Sequence, residues 1–197
     1  MINIKTKAII LSKTKYGEAD LIIRLITNEG EVYSAIAKSA LKSKKRFGGG
    51  ILEPTHFISA VIQKSDENSE RMSVINDAQL IDSFSALRTD YDRLELAFHL
   101  LKWTSVFARE GDSHKEIFDL LGHSLKTLET HNDFKLLKAV FELKTLQLQG
   151  ILPNDPTFAP LLSRSIRDQS VLNFSNDEWQ TIWSKIDWIK SSYMPNA

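Results

Sequence analysis

Lys38-Ser39-Ala40-Leu41-Lys42-Ser43-Lys44-Lys45-Arg46-Phe47-Gly48-Gly49-Gly50 joins two strand-like runs, Val32 to Ala37 and His56 to Gln63. The stretch holds five cations, no acid and three consecutive glycines. An acid-free cationic connection on a small β module is well placed to meet a phosphate backbone. The bland alternative is a solvated loop whose lysines only keep the module soluble. The glycines let the backbone turn sharply into the next strand.

Reading outward from this loop, residues 1–80 have the period of a small all-β module. Ile4, Thr6, Ala8 and Ile10 alternate with Lys5, Lys7 and Ile9, the period of two of a half-buried strand. Gly17 and Glu18 break that run, and Leu21 to Ile26 is a second one, rich in β-branched residues. Asn28-Glu29-Gly30-Glu31 supplies hairpin turn chemistry before Val32 to Ala37. Pro54 marks the entry to the fourth run, Lys64 to Glu70 is polar and turn-like, and Arg71 to Ile75 closes the set. Five short strands carrying cationic loops predict a five-stranded OB-fold barrel.

Beyond Asp82 the period becomes helical. Leu94, Ala97, Phe98, Leu101 and Ala108 share a face, widened by Leu100 and Phe107. Ser113 with Glu116 has capping-box spacing and opens a helix that points Ile117, Phe118, Leu121, Leu125 and Leu128 inward. Asp133 to Gln149 is a third helix, burying Leu136, Leu137, Val140, Phe141 and Leu148, with Gly150 in the C-cap position. Ile151 to Phe174 holds Pro153, Pro156 and Pro160 and reads as irregular. Ser175 with Glu178 opens a last helix with Trp179, Ile182, Trp183, Ile186 and Ile189 inward. The fold class is therefore α+β in two domains: a barrel over 1–80 and an all-helical domain over 81–197.

Composition narrows function further. Lys and Arg equal Asp and Glu at 25 each, but residues 1–80 carry a net +3 and the remainder a net −3. That small asymmetry supports a nucleic-acid surface on the first module and a different role for the second. There is no cysteine, which excludes disulfides, thiolate nucleophiles and cysteine-ligated zinc. His56, His99, His114, His123 and His131 are scattered, without metal-site spacing. No phosphate-binding loop and no nucleophile elbow occurs. Glu18 and Asp20 share a strand face, yet no nucleophile or ligand set stands near them, so a structural role is expected. The chain reads as a non-enzyme without cofactor or metal. With no signal peptide and no apolar run of membrane-span length, a cytoplasmic protein is expected.

Lys13, Lys15 and Tyr16 are read in the turn after the first strand, and Lys38, Lys42, Lys44, Lys45 and Arg46 in the third connection. If both lie on one side of a barrel, the lysines would hold phosphates. Tyr16 or Phe47 would then be available to stack on a base. Phe47 has a competing fate, burial in the barrel end.

The ordered pieces resemble a known family. They are Ala8-Ile9-Ile10-Leu11, Tyr16-Gly17-Glu18-x-Asp20, Leu25-Ile26-Thr27 with Gly30, Ala37-Lys38, the basic run, Phe47-x-Gly49, and Leu52, Pro54 and Phe57. In the helical half they are Phe107-Ala108-Arg109-Glu110 with His114 and Phe118, and Phe141-Glu142-Leu143-x-x-Leu146-x-x-x-Gly150. Over about residues 4–152 the chain is similar to RecO, the bacterial recombination mediators of DNA repair. The resemblance implies an N-terminal OB-fold and a helical C-terminal domain. It also implies binding of single- and double-stranded DNA, strand annealing, and cooperation with RecR to load RecA where single-strand-binding protein coats the DNA, in the cytoplasm at the nucleoid. DNA contact carries onto Lys38, Lys42, Lys44, Lys45 and Arg46. Docking of the C-terminal tail of single-strand-binding protein carries onto Lys135, Lys138 and Lys144, although Val140 stands where relatives often have a basic residue. Many relatives place a four-cysteine zinc site after the glycine matching Gly150. Ile151 to Phe174 has no cysteine, so zinc is not carried over. An OB-fold RNA-binding module or a protein-interaction adapter is the competing reading, because fold alone does not choose among these.

Overall fold

The computed structural model describes residues 2–48, 50–65, 72–168 and 172–193. Gly49, most of the polar turn read at 64–70, and Arg71 lie outside the described residues. Five strands form the first module: β1 (Ile2–Tyr16), β2 (Asp20–Thr27), β3 (Val32–Ala37), β4 (Phe57–Lys64) and β5 (Ser73–Asp82). A single-turn helix, α1 (Lys44–Phe47), stands between β3 and β4. The strands close in the order β1-β2-β3-β5-β4, with β4 returning to β1. β3 and β5 run parallel, through Ala35 opposite Ser73 and Ile36 opposite Val74, and the other pairings are antiparallel. That order is the OB-fold barrel.

β1 closes the barrel because it is long enough for two partners. Ile2 to Ile9 pairs with β4, and Ala8 to Tyr16 pairs with β2. Closure removes the open strand edges that would otherwise invite aggregation. Ala8, Ile10, Leu21, Ile23, Leu25, Ala35, Ile58, Ala60, Ile62 and Ile75 fill the interior. Phe47 of α1 is buried with them, so the cationic connection plugs one end of the barrel with its aromatic ring. The fifth strand runs to Asp82, seven residues past the Ile75 end read from the sequence. Irregular pairing with β4 at Val61/Ile62 and Phe57/Ile58 breaks the alternation there, so its apolar pattern loses the period of two.

The second module contains α2 (Tyr91–Phe107), α3 (Lys115–Leu128), α4 (Phe134–Leu148), the short α5 (Ala159–Leu162) and α6 (Asn176–Tyr193). Among the described residues, no helix is long and apolar enough to cross a membrane. Asp90 and Asp133 cap α2 and α4 by accepting from the backbone N–H groups of Arg93 and Leu136. The Ser175–Glu178 box forms as read: Ser175 N–H donates to the Glu178 carboxylate at 2.7 Å, and Glu178 N–H donates to Ser175 Oγ at 3.2 Å. The Ser113–Glu116 box does not form. Ser113 Oγ instead donates to the carbonyl of Glu29 on the barrel, at 2.7 Å, and α3 starts at Lys115. Phe98 and Leu148, read as core, are 47 % and 44 % exposed. In α2 Ala97, Leu100, Leu101 and Phe107 are buried as read, and Leu96 and Trp103 join them in the core. The proline-rich segment is anchored by Phe158 and Leu161, both fully buried. Lys185 reinforces it by reaching Asp155 at 2.5 Å and Thr157 at 2.7 Å, bonds that hold the Asp155 carboxyl down at about 2.

The two modules share one apolar core. Ile9, Leu11, Ile26 and Val32 turn outward from the barrel and pack in a cluster with Leu96, Leu100, Ile117 and Leu121. Four buried aliphatic side chains contribute roughly 6–12 kcal/mol gross, against ~1 kcal/mol for a typical hydrogen bond. Apolar burial therefore dominates the joint, and polar contacts set its register. Arg24 donates to the carbonyl of Ala108 at the end of α2, at 3.1 Å, and His114 N–H donates to the carbonyl of Gly30 at 3.0 Å. Gly30 has φ +84°, and a Cβ there would lie 2.2 Å from the Lys115 backbone nitrogen. Only glycine permits both that angle and that approach. Gly30→Ala is expected to cost about 2–4 kcal/mol of stability from strain and overpacking, measured as a lowered denaturant midpoint.

Candidate nucleic-acid interface

The β1–β2 turn and the β3–β4 connection lie side by side. Ser39, at φ 56°, donates its N–H to Asp20 Oδ1 at 2.7 Å. Leu41 N–H donates to the Ala19 carbonyl at 3.0 Å. Asp20, read as structural, thus anchors the cationic connection to the neighbouring hairpin. Ser43 caps α1 by accepting from Arg46 N–H at 3.4 Å. Arg46 folds back: its guanidinium donates to the Lys38 carbonyl at 2.9 Å and lies 5.1 Å from the centre of the Phe47 ring. Lys38, Lys42 and Lys45 are exposed, Arg46 is half-buried, and Lys44 opens α1.

Lys13, Lys15 and Tyr16 stand on β1, opposite Ile23, Leu21 and Asp20 of β2, and not in the turn predicted from the sequence. The strand runs on because β2 pairs with it to its end, and Gly17, at φ 60°, supplies the tight reversal. A bulge between Ile10 and Ser12 resets the alternation. Lys13 and Lys15 therefore share the face of Ile10, Leu21 and Ile23, while Tyr16 stands on the opposite one. Lys15 is exposed and Tyr16 is 56 % exposed. Lys13 pairs with Glu53 at 2.5 Å, which takes up its charge at rest. The barrel end thus gathers Lys15, Lys38, Lys42 and Lys45 as solvent-facing cations, with Arg46 bracing the loop that carries three of them.

A second concentration of charge lies in the helical module. A cavity of about 650 Å³ opens between α2, α4 and α6. Lys135 and Lys138 line it, with their ammonium groups 4.7 Å from the Trp179 ring centre and 5.1 Å from that of Trp183. Lys144 is not part of it. It stands half a turn round α4, its ammonium donates to the Leu162 carbonyl at 3.0 Å, and burial pushes it below the ordinary lysine value. Lys190, absent from the sequence reading, joins the cavity and lies 4.7 Å from the Trp103 ring centre. Its seven-residue spacing from Trp183 was the available signal, since that spacing repeats a helix face. Glu142 is fully buried beneath the cavity, with His99 Nε2 at 2.6 Å and Lys190 Nζ at 4.0 Å. Asp92, Glu95 and Asp187 also line it, so the lining is mixed in sign. Among the described residues, no group of three or more metal-ligating side chains occurs.

Fold and surface together define a class: an OB-fold barrel with a cationic end, docked on a helical module with a lysine- and tryptophan-lined groove. Residues 1–84 match the family model described as Recombination protein O N terminal, and residues 88–154 the one described as Recombination protein O C terminal. The chain belongs to the RecO family. It is 30 % identical over 153 residues to the DNA repair protein RecO of Anaeromyxobacter dehalogenans, covering 78 % of this chain and 59 % of that relative. It is 32 % identical over 157 residues to the DNA repair protein RecO of Desulfosudis oleivorans, covering 78 % and 58 % respectively. The match to the DNA repair protein RecO of Desulfatibacillum aliphaticivorans is 32 % identical over 152 residues, covering 77 % and 58 %. The chain thus spans about three-fifths of the length of these relatives.

Arg46→Lys keeps the charge of the loop and removes its planar brace. Losing contacts of about 1–2 kcal/mol should speed amide exchange of Ser39 to Ser43 roughly 5- to 30-fold. The global unfolding midpoint should stay within error, as read by hydrogen exchange and thermal denaturation together.

Proposed function

We propose that this chain is a non-catalytic recombination mediator of DNA repair, acting in the cytoplasm at the nucleoid. It binds single- and double-stranded DNA through the barrel end and anneals complementary strands. With RecR it helps load RecA on DNA coated by single-strand-binding protein. The reading is carried by the pair of bonds from Ser39 and Leu41 to the β1–β2 turn. They bring the loop of Lys38, Lys42 and Lys45 beside the hairpin that carries Lys15, and the proposed DNA contact falls on these four lysines, with Lys13, Lys44, Arg46 and Tyr16 as further proposed contacts. Neutralising phosphates on two strands lowers their mutual repulsion, so complementary bases can meet. The Lys13–Glu53 pair is half-exposed, and such a pair is held only weakly in water. An arriving phosphate therefore competes for Lys13 at little cost.

Counterion release makes the claim quantitative. Four phosphate contacts give a log K against log salt slope of about −2.8 on single strands. In the variant Lys38→Ala, Lys42→Ala, Lys45→Ala the slope should flatten to about −0.7, measured by anisotropy of a labelled oligonucleotide across a salt series. An unaltered slope would place the contact elsewhere. Single-stranded DNA, duplex DNA and RNA of equal length, compared in the same assay, separate this reading from an RNA-binding module. Binding to none of the three favours an adapter.

The groove between α2, α4 and α6 suits the acidic, apolar tail of single-strand-binding protein. Lys135, Lys138 and Lys190 supply charge, and Trp183 supplies an apolar wall; Lys144 is committed to Leu162 and stands outside this set. A terminal carboxylate pairs with the ammonium groups, and the acids on the rim restrict the poses available to the peptide. Lys138→Glu should weaken a labelled tail peptide at least tenfold, since a charge-assisted contact contributes about 1.5–3 kcal/mol. It should leave oligonucleotide binding by the barrel unchanged.

A further inference from the structure

Between α1 and the β1–β2 hairpin is a cavity of about 230 Å³. Its wall is apolar: Leu21, Ala40, Phe47 and Leu52 are all at least nine-tenths buried. Leu41 stands at its mouth and is 54 % exposed, an unusual place for a leucine beside four exposed cations. Its polar border is Ser43, whose hydroxyl accepts from Arg46, and the pair of Lys13 with Glu53 at 2.5 Å. We propose that this cavity is a base pocket, which takes one unstacked nucleobase of a single strand whose phosphates lie on Lys15, Lys38, Lys42 and Lys45. The proposal rests on the DNA reading above and adds a site to it.

Size, charge and chemistry select this occupant. The volume lies below the range of about 300–1,000 Å³ usual for drug-sized ligands, so the pocket admits one flat ring and not a stacked run. The surrounding lysines attract a polyanion, while the pocket itself is uncharged apart from a neutralised pair. A strand fits that pattern because its charge is on the backbone and its apolar faces are on the bases. Lys13 offers a donor and Glu53 an acceptor, so every base edge finds a partner and the pocket is sequence-tolerant. Paired bases are locked in the duplex stack and cannot enter without unstacking. The pocket therefore favours single strands over duplex, a preference that the lysines alone do not create. A strand held with one base drawn out is also hindered from stacking on itself, which leaves neighbouring bases open to a complementary partner.

The test compares an oligothymidylate with an abasic strand of equal length and charge, on the full chain, by labelled-strand anisotropy. The wild-type protein should bind the base-bearing strand about 5- to 100-fold more tightly. Leu41→Ala and Leu41→Asp lie at an exposed position and leave the barrel core untouched. Each should cut that ratio at least threefold, while the salt slope of Leu41→Ala on the abasic strand stays as in wild type. Tyr16→Ala, on the opposite face of the hairpin, separates simple stacking from the pocket. A wild-type ratio of one with both strands bound overturns the pocket and leaves phosphate binding standing. A ratio that falls in Tyr16→Ala and is unchanged in both Leu41 variants also overturns it. Binding to neither strand ends the DNA reading itself, and the pocket with it.

Discussion

Burial of both faces of β1 is the constraint on which the rest of the molecule depends. Ala8 and Ile10 point into the barrel while Ile9 and Leu11 point into the helical core. Ala8-Ile9-Ile10-Leu11 is therefore apolar at every position, as a strand covered on two sides must be. The helices can cover only one side of the barrel. What they cover holds the modules in a fixed relation, and what they leave uncovered is the end where α1 and the β1–β2 hairpin meet. The open surface is thus selected by where the apolar contact lies, before any charge is considered.

At that free end, the charges divide by role. Arg46 has a fork of donors and reaches a carbonyl, a hydroxyl and an aromatic ring. It is suited to bracing because guanidinium donors are planar and fixed. Lysines are flexible, strongly hydrated point charges, and Lys15, Lys38, Lys42 and Lys45 remain in water. Glu53 holds Lys13 beside the cavity mouth, and Asp20 holds the backbone of the connection. Two carboxylates among the cations therefore organise the surface without cancelling it.

The helical module follows the same division. Ammonium groups of Lys135, Lys138 and Lys190 lie over indole rings, a geometry that keeps charge accessible above an apolar wall. Glu142 beneath them is buried with His99 as its close partner, and a buried polar side chain of this kind requires such pairing. Lys144 shows why helical position matters more than residue type. Nine residues from Lys135 is half a turn out of phase, so it serves the packing of α5 and not the groove.

Much of this was legible in the chain itself. Alternation and turn residues mark the strands, the Ser175–Glu178 box marks the start of α6, and Gly150, at φ 68°, marks the end of α4. The acid-free run marks the exposed cations. These features are local, so they are written in neighbouring residues and need no knowledge of distant ones. The misread features were decided at long range. Ser113 bonds across to Glu29 in preference to capping its own helix, and β1 carries Lys13, Lys15 and Tyr16 because β2 continues to pair with it. The bulge at Leu11 decides which face those lysines take. Arg46 is drawn inward by a carbonyl eight residues away, and Lys190 meets Trp103 only because α6, packed on α4, brings it across to α2. Sequence alone determined the order of the main strands and helices and the place of the charged connection, because propensity and periodicity act between near neighbours. Tertiary structure alone decided which charges stay free and which are committed, because that depends on what each side chain meets after the two modules have packed.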